Sequence, residues 1–478
     1  MALSAGSQGA AKLVHFTLNV VASLVLIRAL GPAGFGDYVF VISFAALFGL
    51  LAEFGLSKVA LREMAREPDA GSAILGTAIV ARLGLAVVAA VTAQAVLAVL
   101  GVAPSIRVAV AIASLVFVTD ALLSVVAVFQ VRMAMQYEAL VTVVAQAIDT
   151  TIIVVLVASG AGLYALVASP VVSGAVGVAL AVWLARSRFG ATASFDAGRL
   201  PRLVSSALPV GLTVMLAVIY LKIDGVLLGV LSSPDQVGIY GSAYRPIEYL
   251  LLASAIVVNT LFPLLARWFA ADRPRFDALY RRGSEALLVL VVPVPIFVAL
   301  LAEPLVRALY GEAFASAAAS LRILAVALVF MIVSAWQGFV LLAAGRQRVT
   351  LAYDAIGLGV NVALNVVLIV RFGHLGAASA ALVTAVVVNL CSLASARWLV
   401  GVSMDPRRTA RILGANALLG LVLIAVSAAG ASVVVAAAVG AVAYPSVLFA
   451  AGVVRLGELK LLLPSRDVAA RGLDPLEA

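Results

Sequence analysis

The chain of 478 residues carries a single cysteine, Cys391, and two histidines. One thiol excludes a disulfide framework and a thiolate metal site. His15 and His374 lie far apart, with no second imidazole at ligand spacing. Charged residues make up only 12% of the chain, where a soluble globular protein has about 25%. Long hydrophilic stretches are also missing. The longest, around Arg186–Arg202 and Arg267–Gly283, hold no paired carboxylates, phosphate-cradling glycine loop or metal-ligand spacing. That argues against an enzyme and against any cofactor. The start, MALSAGSQGAAK, has no charged region ahead of a short apolar core and cleavage site. It reads as a cytoplasmic lead into a first membrane span.

What remains is apolar. Hydrophobic residues are 64% of the chain, and mean hydropathy is +1.18. This composition predicts an all-α polytopic membrane protein. A crossing takes about 20 mostly apolar residues, and the chain divides into about fourteen such segments, from Leu13–Leu30 to Val433–Val453. Ala286–Leu301 is the shortest and carries Pro293 and Pro295, which predicts a kink there. The net charge of +9 is no nucleic-acid signal, because the basic residues fall in short loops between the spans. With the N-terminus inside, Lys58, Arg62, Arg66, Arg186, Arg188, Arg199, Arg202 and the other cytoplasmic bases outnumber Arg28, Arg107, Arg307, Arg322 and Arg371 outside. The ratio is roughly five to one, as the positive-inside rule requires. Both termini are therefore expected in the cytoplasm. The abundance of Arg, Ala, Val and Gly suggests a GC-rich bacterial genome, so the expected location is a bacterial inner membrane.

The chain also reads as one half repeated. The stretch Tyr220–Glu248 has an echo in Ala29–Ala46, where Gly36, Asp37 and Tyr38 align with Gly238, Ile239 and Tyr240. Residues 160–166 and 372–378 form a second matched pair between spans. Spans one to six thus match spans seven to twelve. An even number of spans per copy predicts two six-helix lobes related by a pseudo-two-fold along the membrane normal. Two extra C-terminal helices follow. The expected divisions are an N-lobe at 1–185, a cytoplasmic linker at 186–202, a C-lobe at 203–400, helices 13 and 14 at 401–454 and a cytoplasmic tail at 455–478.

Charges inside spans are costly and mark function. Lys222 and Asp224 share one span, and Arg245 and Glu248 the next. They suggest a water-filled cavity or a polar ligand. Lys222 and Asp224, two apart, point in different directions on a helix, whereas Arg245 and Glu248, three apart, can pair. Arg28, Glu53, Arg82, Asp120, Asp149 and Asp354 are the other ionisable residues within spans.

A family resemblance rests on three motifs: Gln8…Asn19…Arg28-Ala-Leu-Gly-Pro-x-x-Phe-Gly-x-Tyr38, Asp224-x-x-x-Leu-Gly229 and Val-Gly-Ile-Tyr240-x-x-Ala-Tyr-Arg245. With the span count and the repeat, they resemble the polysaccharide branch of the multidrug/oligosaccharidyl-lipid/polysaccharide (MOP) exporter superfamily, the Wzx-type flippases of lipid-linked oligosaccharides. The resemblance implies alternating access, transfer of an isoprenoid-pyrophosphate-linked sugar to the periplasmic leaflet, and coupling to an H⁺ or Na⁺ gradient. It implies a monomer working beside polysaccharide polymerase or export partners.

Such a cargo suits a cationic cavity, since arginine offers a pyrophosphate bidentate donors. Arg28, Arg82, Lys222 and Arg245 are the candidate substrate-binding residues. The alternatives are pairing of Arg245 with Glu248 and snorkelling of Arg28 to the interface. Asp120, Asp149, Asp224, Glu248 and Asp354 are the ion-coupling candidates. A carboxylate in a span can carry a proton or ligate Na⁺ with carbonyls, or simply bind a neighbouring helix. Asp120 and Asp149 come first, since no base lies within a turn of either. Tyr220, Tyr240, Tyr244 and Tyr249 read as interface anchors or sugar-stacking rings. Two other functions compete. A cation-coupled multidrug antiporter of the same superfamily would favour an acidic, apolar cavity. A membrane glycosyltransferase or polymerase would need clustered acids or a large hydrophilic loop.

Overall fold

The computed structural model describes residues 2–453, with side chains from residue 11 except at 209, 210, 212–214, 216–218, 220 and 221. The expected tail, with Arg455, Lys460, Arg466 and Arg471, lies outside the described residues, as do the side chains of Gln8 and Tyr220. The described chain is helical, without strands. Its helices are α1 (Ala2–Glu53), α2 (Leu56–Arg66), α3 (Gly71–Val99), α4 (Pro104–Ser114), α5 (Val116–Leu122), α6 (Ala127–Val131), α7 (Met135–Ala158), α8 (Leu163–Phe189), α9 (Leu200–Leu231), α10 (Pro234–Ala271), α11 (Arg273–Val291), α12 (Pro293–Tyr310), α13 (Ala317–Ala343), α14 (Gln347–Ser395), α15 (Pro406–Ala428) and α16 (Val433–Ala450).

Eleven stretches among the described residues are long and apolar enough to cross a membrane. Two of them, Ala11–Arg66 and Gln347–Val400, run 56 and 54 residues, far beyond the roughly 20 residues one crossing takes. Each holds a break. Gly31 has φ 64° and ψ −179°, and Gly373 has φ 54° and ψ −128°, where an L-residue would be strained. Each break makes two crossings of one helix, and the apolar α9 supplies another, so the fourteen expected spans are present. Pro293 opens α12 directly after α11 ends, which is where the prolines predicted a kink. Caps fix other ends. Asp272 accepts from the Arg275 amide and Asp405 from the Arg407 amide.

By contact the chain forms two compact units. The first comprises 1–243, 307–317 and 354–381, and the second comprises 244–306, 318–353 and 382–478.

In the first unit α2 is amphipathic. Leu56, Val59, Ala60 and Met64 are buried against Ile74 and Leu75 of α3, Phe129 and Leu184. Lys58, Arg62 and Arg66 are exposed. The polar segment before α9 is sewn to the start of α3. The Ser194 amide donates to the Ser72 carbonyl at 3.0 Å, and the Asp196 amide to Thr77 Oγ1 at 3.0 Å. Arg199 Nη1 meets Glu67 Oε2 at 2.8 Å. Gly76 permits this approach, since a Cβ there would stand 2.3 Å from the Ser194 oxygen.

In the second unit Trp336 of α13 is fully buried. Its Nε1 donates to Ser284 Oγ at 2.9 Å, and Tyr280 donates to Gln337 Oε1 at 3.2 Å. The two extra C-terminal helices are fastened to α11. Arg408 of α15 meets Glu285 at 2.7 Å, and Tyr444 of α16 donates to the Val289 carbonyl at 2.6 Å.

Candidate functional site

A cavity of about 610 Å³ lies within the first unit, lined by His15, Glu53, Arg82, Asp120, Glu138 and Asp149 among others. Its centre is an ion pair. Arg82 of α3 is 7% exposed, and its Nη2 sits 2.5 Å from Glu53 Oε2, at the end of α1. Nη1 donates to the Asp120 carbonyl at 2.8 Å and to Ser124 Oγ at 2.6 Å. The fourth span is irregular here. α5 gives way at Leu123–Val126 to a 3₁₀ turn before α6, and that turn carries Ser124 to the guanidinium. Broken backbone at membrane depth is tolerated where it lines a cavity. Arg82 Nε has no hydrogen-bond partner among the described residues. The guanidinium is therefore oriented and neutralised yet keeps a donor unused.

Asp149 of α7 accepts from Ser169 at 2.6 Å and Ser173 at 3.4 Å, both on α8. Gln130 donates to Glu138 at 3.0 Å, and buried His15 Nδ1 has no partner among the described residues. The balance is four carboxylates against one arginine. Acids therefore outnumber bases along this lining, and Arg28, Lys222 and Arg245 stand outside it.

A second cluster, also in the first unit, surrounds Asp224 of α9, which is buried. Tyr240 of α10 donates to its Oδ2 at 2.9 Å, and Asn365 of α14 to its Oδ1 at 2.7 Å. The same Asn365 amide lies 3.0 Å from Asn361 Oδ1. Asn365 Oδ1 is buried with no hydrogen-bond partner among the described residues. A single carboxylate surrounded by amide oxygens is a hard-donor set, suited to a proton or a small hard cation. Tyr240 is thus neither an interface anchor nor a free stacking ring: it is a buried ligand of Asp224.

The sequence-named residues divide accordingly. Arg82, Asp120 and Asp149 share the cavity, and Arg82 reaches Asp120 from another helix although no base lies nearby in sequence. Arg28 is exposed and turned to main-chain oxygens, of Leu309 at 2.7 Å and Ala308 at 2.5 Å. Lys222 is half-buried on α9, outside the lining of that cavity. Asp354 is half-buried on α14, about two turns before Asn361. Arg245 and Glu248, in the second unit, pair at 3.0 Å, as their spacing predicts. Nothing in the sequence singles out Glu138, His15, Ser124, Ser169 or Ser173 as cavity residues. Glu53 had a signal, as a charge inside a span.

Residues 25–319, more than half of the chain, match the family model described as polysaccharide biosynthesis protein. The chain belongs to that family. Residues 249–450 also match the model for the lipid II flippase MurJ. A curated relative from Haloferax volcanii, "Probable low-salt glycan biosynthesis flippase Agl15", is 26% identical over 162 residues, 34% of this chain and 34% of its own length. The match thus spans about a third of that relative. Among solved structures, lipid II flippase MurJ in an inward closed conformation superposes with a TM-score of 0.77, at 12% identity, covering 92% of this chain and 97% of that one. An inward-facing multidrug resistance MATE transporter of the MOP superfamily gives 0.66 at 15% identity, covering 81% and 94%. A MOP superfamily transporter from Pyrococcus furiosus, described as having a binding pocket of reverse polarity, gives 0.58 at 14%, covering 83% and 95%. At such identities the likeness is one of fold.

Proposed function

We propose that the chain is a flippase for isoprenoid-pyrophosphate-linked oligosaccharide, moving it from the cytoplasmic to the periplasmic leaflet by alternating access. Family membership, the MurJ-type match and the flippase relative support this over an enzyme. The observation that carries the chemistry is Arg82. A buried guanidinium with a carboxylate partner and an unused Nε is a latent anion site: pyrophosphate displaces Glu53 and takes the planar fork. The remaining candidates, Arg28, Lys222 and Arg245, complete the cationic path in this reading, with lobes at 1–185 and 203–400. Arg245 leaves Glu248 as cargo passes. Coupling to H⁺ or Na⁺ falls to Asp224 in its Tyr240–Asn361–Asn365 setting and to Asp120 and Asp149 in the cavity, with Glu248 and Asp354 as further candidates. The orientation follows the basic loops, with both termini in the cytoplasm of a bacterial inner membrane. The protein acts as a monomer beside polymerase or export partners.

The test is a genetic block. Without the gene, the lipid-linked intermediate accumulates where a membrane-impermeant probe finds it only on the cytoplasmic side. Wild type relieves the block, and Arg245→Ala, matched for protein level, does not. Normal polymer output from that variant contradicts its role. One observation favours a second reading, the cation-coupled multidrug antiporter: the acid excess of the first-unit cavity. Intermediates on both faces, with altered sensitivity to cationic drugs, would decide for it.

A further inference from the structure

The matched stretches of the repeat meet each other. Both read Pro-x-x-x-Gly-x-Tyr: Pro32, Gly36 and Tyr38 in the first copy, Pro234, Gly238 and Tyr240 in the second. A Cβ built on Gly36 would stand 1.8 Å from the Pro234 oxygen, and one on Gly238 1.9 Å from the Pro32 oxygen. Each glycine's Cβ would also lie near the other's amide nitrogen, at 2.9 and 3.0 Å. Contact i-to-j matched by j-to-i is the mark of a two-fold interface. Here it joins two parts of one chain, and all four residues belong to the first unit. The obstacles are main-chain atoms, so no side chain can swing aside.

The contact continues along α1 and α9. Gly229 lies against Phe40, a Cβ there standing 2.1 Å from its ring, and Gly225 lies against Ser43 at ordinary distance, 3.9 Å between the built Cβ and Ser43 Cβ. The same end is tied twice more. Gln236 Oε1 accepts from the His374 amide at 2.9 Å, beside the Gly373 break, and the Phe35 ring meets Phe314. The cavity lining includes Glu53, Ser57, Gln130 and Glu138, at the opposite ends of their spans from this seam.

From this geometry we infer that the twin Pro-x-x-x-Gly-x-Tyr motifs form the outer seal of the transport path. The two copies close backbone to backbone, and the seam from Gly36–Gly238 down to Ser43–Gly225 parts each time the protein opens outward. This rests on the flippase reading for its direction. The glycines at 36 and 238 are required because the seal has no room for a methyl group. The remaining pair, Ser43 and Gly225, is spaced for a cross-link, since disulfide Cβ atoms lie about 3.5–4.5 Å apart.

The test replaces Cys391 by Ala and introduces Ser43→Cys with Gly225→Cys. In vesicles holding a pyrophosphate-linked isoprenoid oligosaccharide, oxidation is expected to consume both thiols and abolish flipping, and reductant to restore it. Flipping that persists in the fully cross-linked protein overturns the seal, as does failure of the thiols to join. A second arm needs no transport. Gly36→Ala and Gly238→Ala, each with Ser43→Cys as sole thiol, should raise the reactivity of that thiol to an impermeant reagent added outside. Unchanged reactivity in both overturns the proposal. A Cys391→Ala parent that never flips this cargo counts against the flippase reading, and the reactivity arm still decides the seal.

Discussion

Removing Arg82 separates a binding role from a scaffolding one. Arg82→Ala takes a guanidinium away from Glu53, the Asp120 carbonyl and Ser124. Breaking a buried pair by deleting one partner costs about 3–5 kcal/mol, because the remaining charge stays unpaired. Glu53 is 32% exposed and regains some water, so the low end, about 3 kcal/mol, applies. Glu53→Gln leaves the more deeply buried charge, Arg82 at 7% exposed, and should cost at least as much, about 3–5 kcal/mol. Replacing both, Arg82→Met with Glu53→Gln, removes both charges and should recover most of the stability. Thermal unfolding in detergent reads these losses, and a leaflet-resolved assay of the lipid-linked oligosaccharide reads transport. If Arg82 holds the pyrophosphate, the double variant regains stability and stays inactive, while Arg82→Lys retains partial transport. A stable double variant that flips at the wild-type rate would refute the reasoning and leave Arg82 a structural residue.

Other predictions follow from the same contacts. Asp224→Asn removes the only charge in the Tyr240–Asn361–Asn365 cluster. It should leave folding intact and make transport indifferent to collapse of both proton and sodium gradients; transport that still follows a gradient removes Asp224 from coupling. Gly283→Ala puts a Cβ 2.5 Å from the Trp336 ring, and overpacking of this kind costs about 1–3 kcal/mol. An unchanged unfolding midpoint would show that the ring yields. The Arg199 guanidinium beside Glu67 holds that carboxyl below its usual range. A lowered carboxyl stabilises the fold above its unfolded pKa and stops doing so only as pH falls through the folded value. Hydrogen exchange of residues 192–199, corrected for intrinsic rate, should therefore stay protected down to ordinary glutamate pKa and fail below it. Loss of protection at neutral pH would contradict the pairing.

The sequence made some of this legible and hid the rest, for physical reasons. A crossing needs a long apolar run whatever its neighbours, so hydropathy alone found the spans, even where only the break at Gly31 or Gly373 separates two of them. The echo of Gly36–Tyr38 in Gly238–Tyr240 was visible because a backbone contact tolerates only glycine at 36 and 238, but that the two copies touch was not. Arg245 and Glu248 lie one turn apart, so their pair was foreseeable from spacing. Arg82 and Glu53 sit on different helices, and nothing local tells that the 3₁₀ turn at Leu123–Val126 brings Ser124 to the same guanidinium. Arg28 looked like a cavity charge or a snorkelling one, yet its partners are carbonyls 280 and 281 residues away. Tyr240 looked like an interfacial ring because a tyrosine near a span end often is one. Only the fold shows that its hydroxyl is spent on Asp224.

The most direct measurement of the central claim uses the purified chain in vesicles, with a pyrophosphate-linked isoprenoid oligosaccharide placed in one leaflet and an impermeant probe outside. The account predicts that wild type equilibrates the substrate between leaflets, that the monophosphate-linked analogue moves poorly, and that Arg82→Ala abolishes the transfer. Movement of cationic drugs instead, with the lipid-linked sugar left in its leaflet, would contradict it.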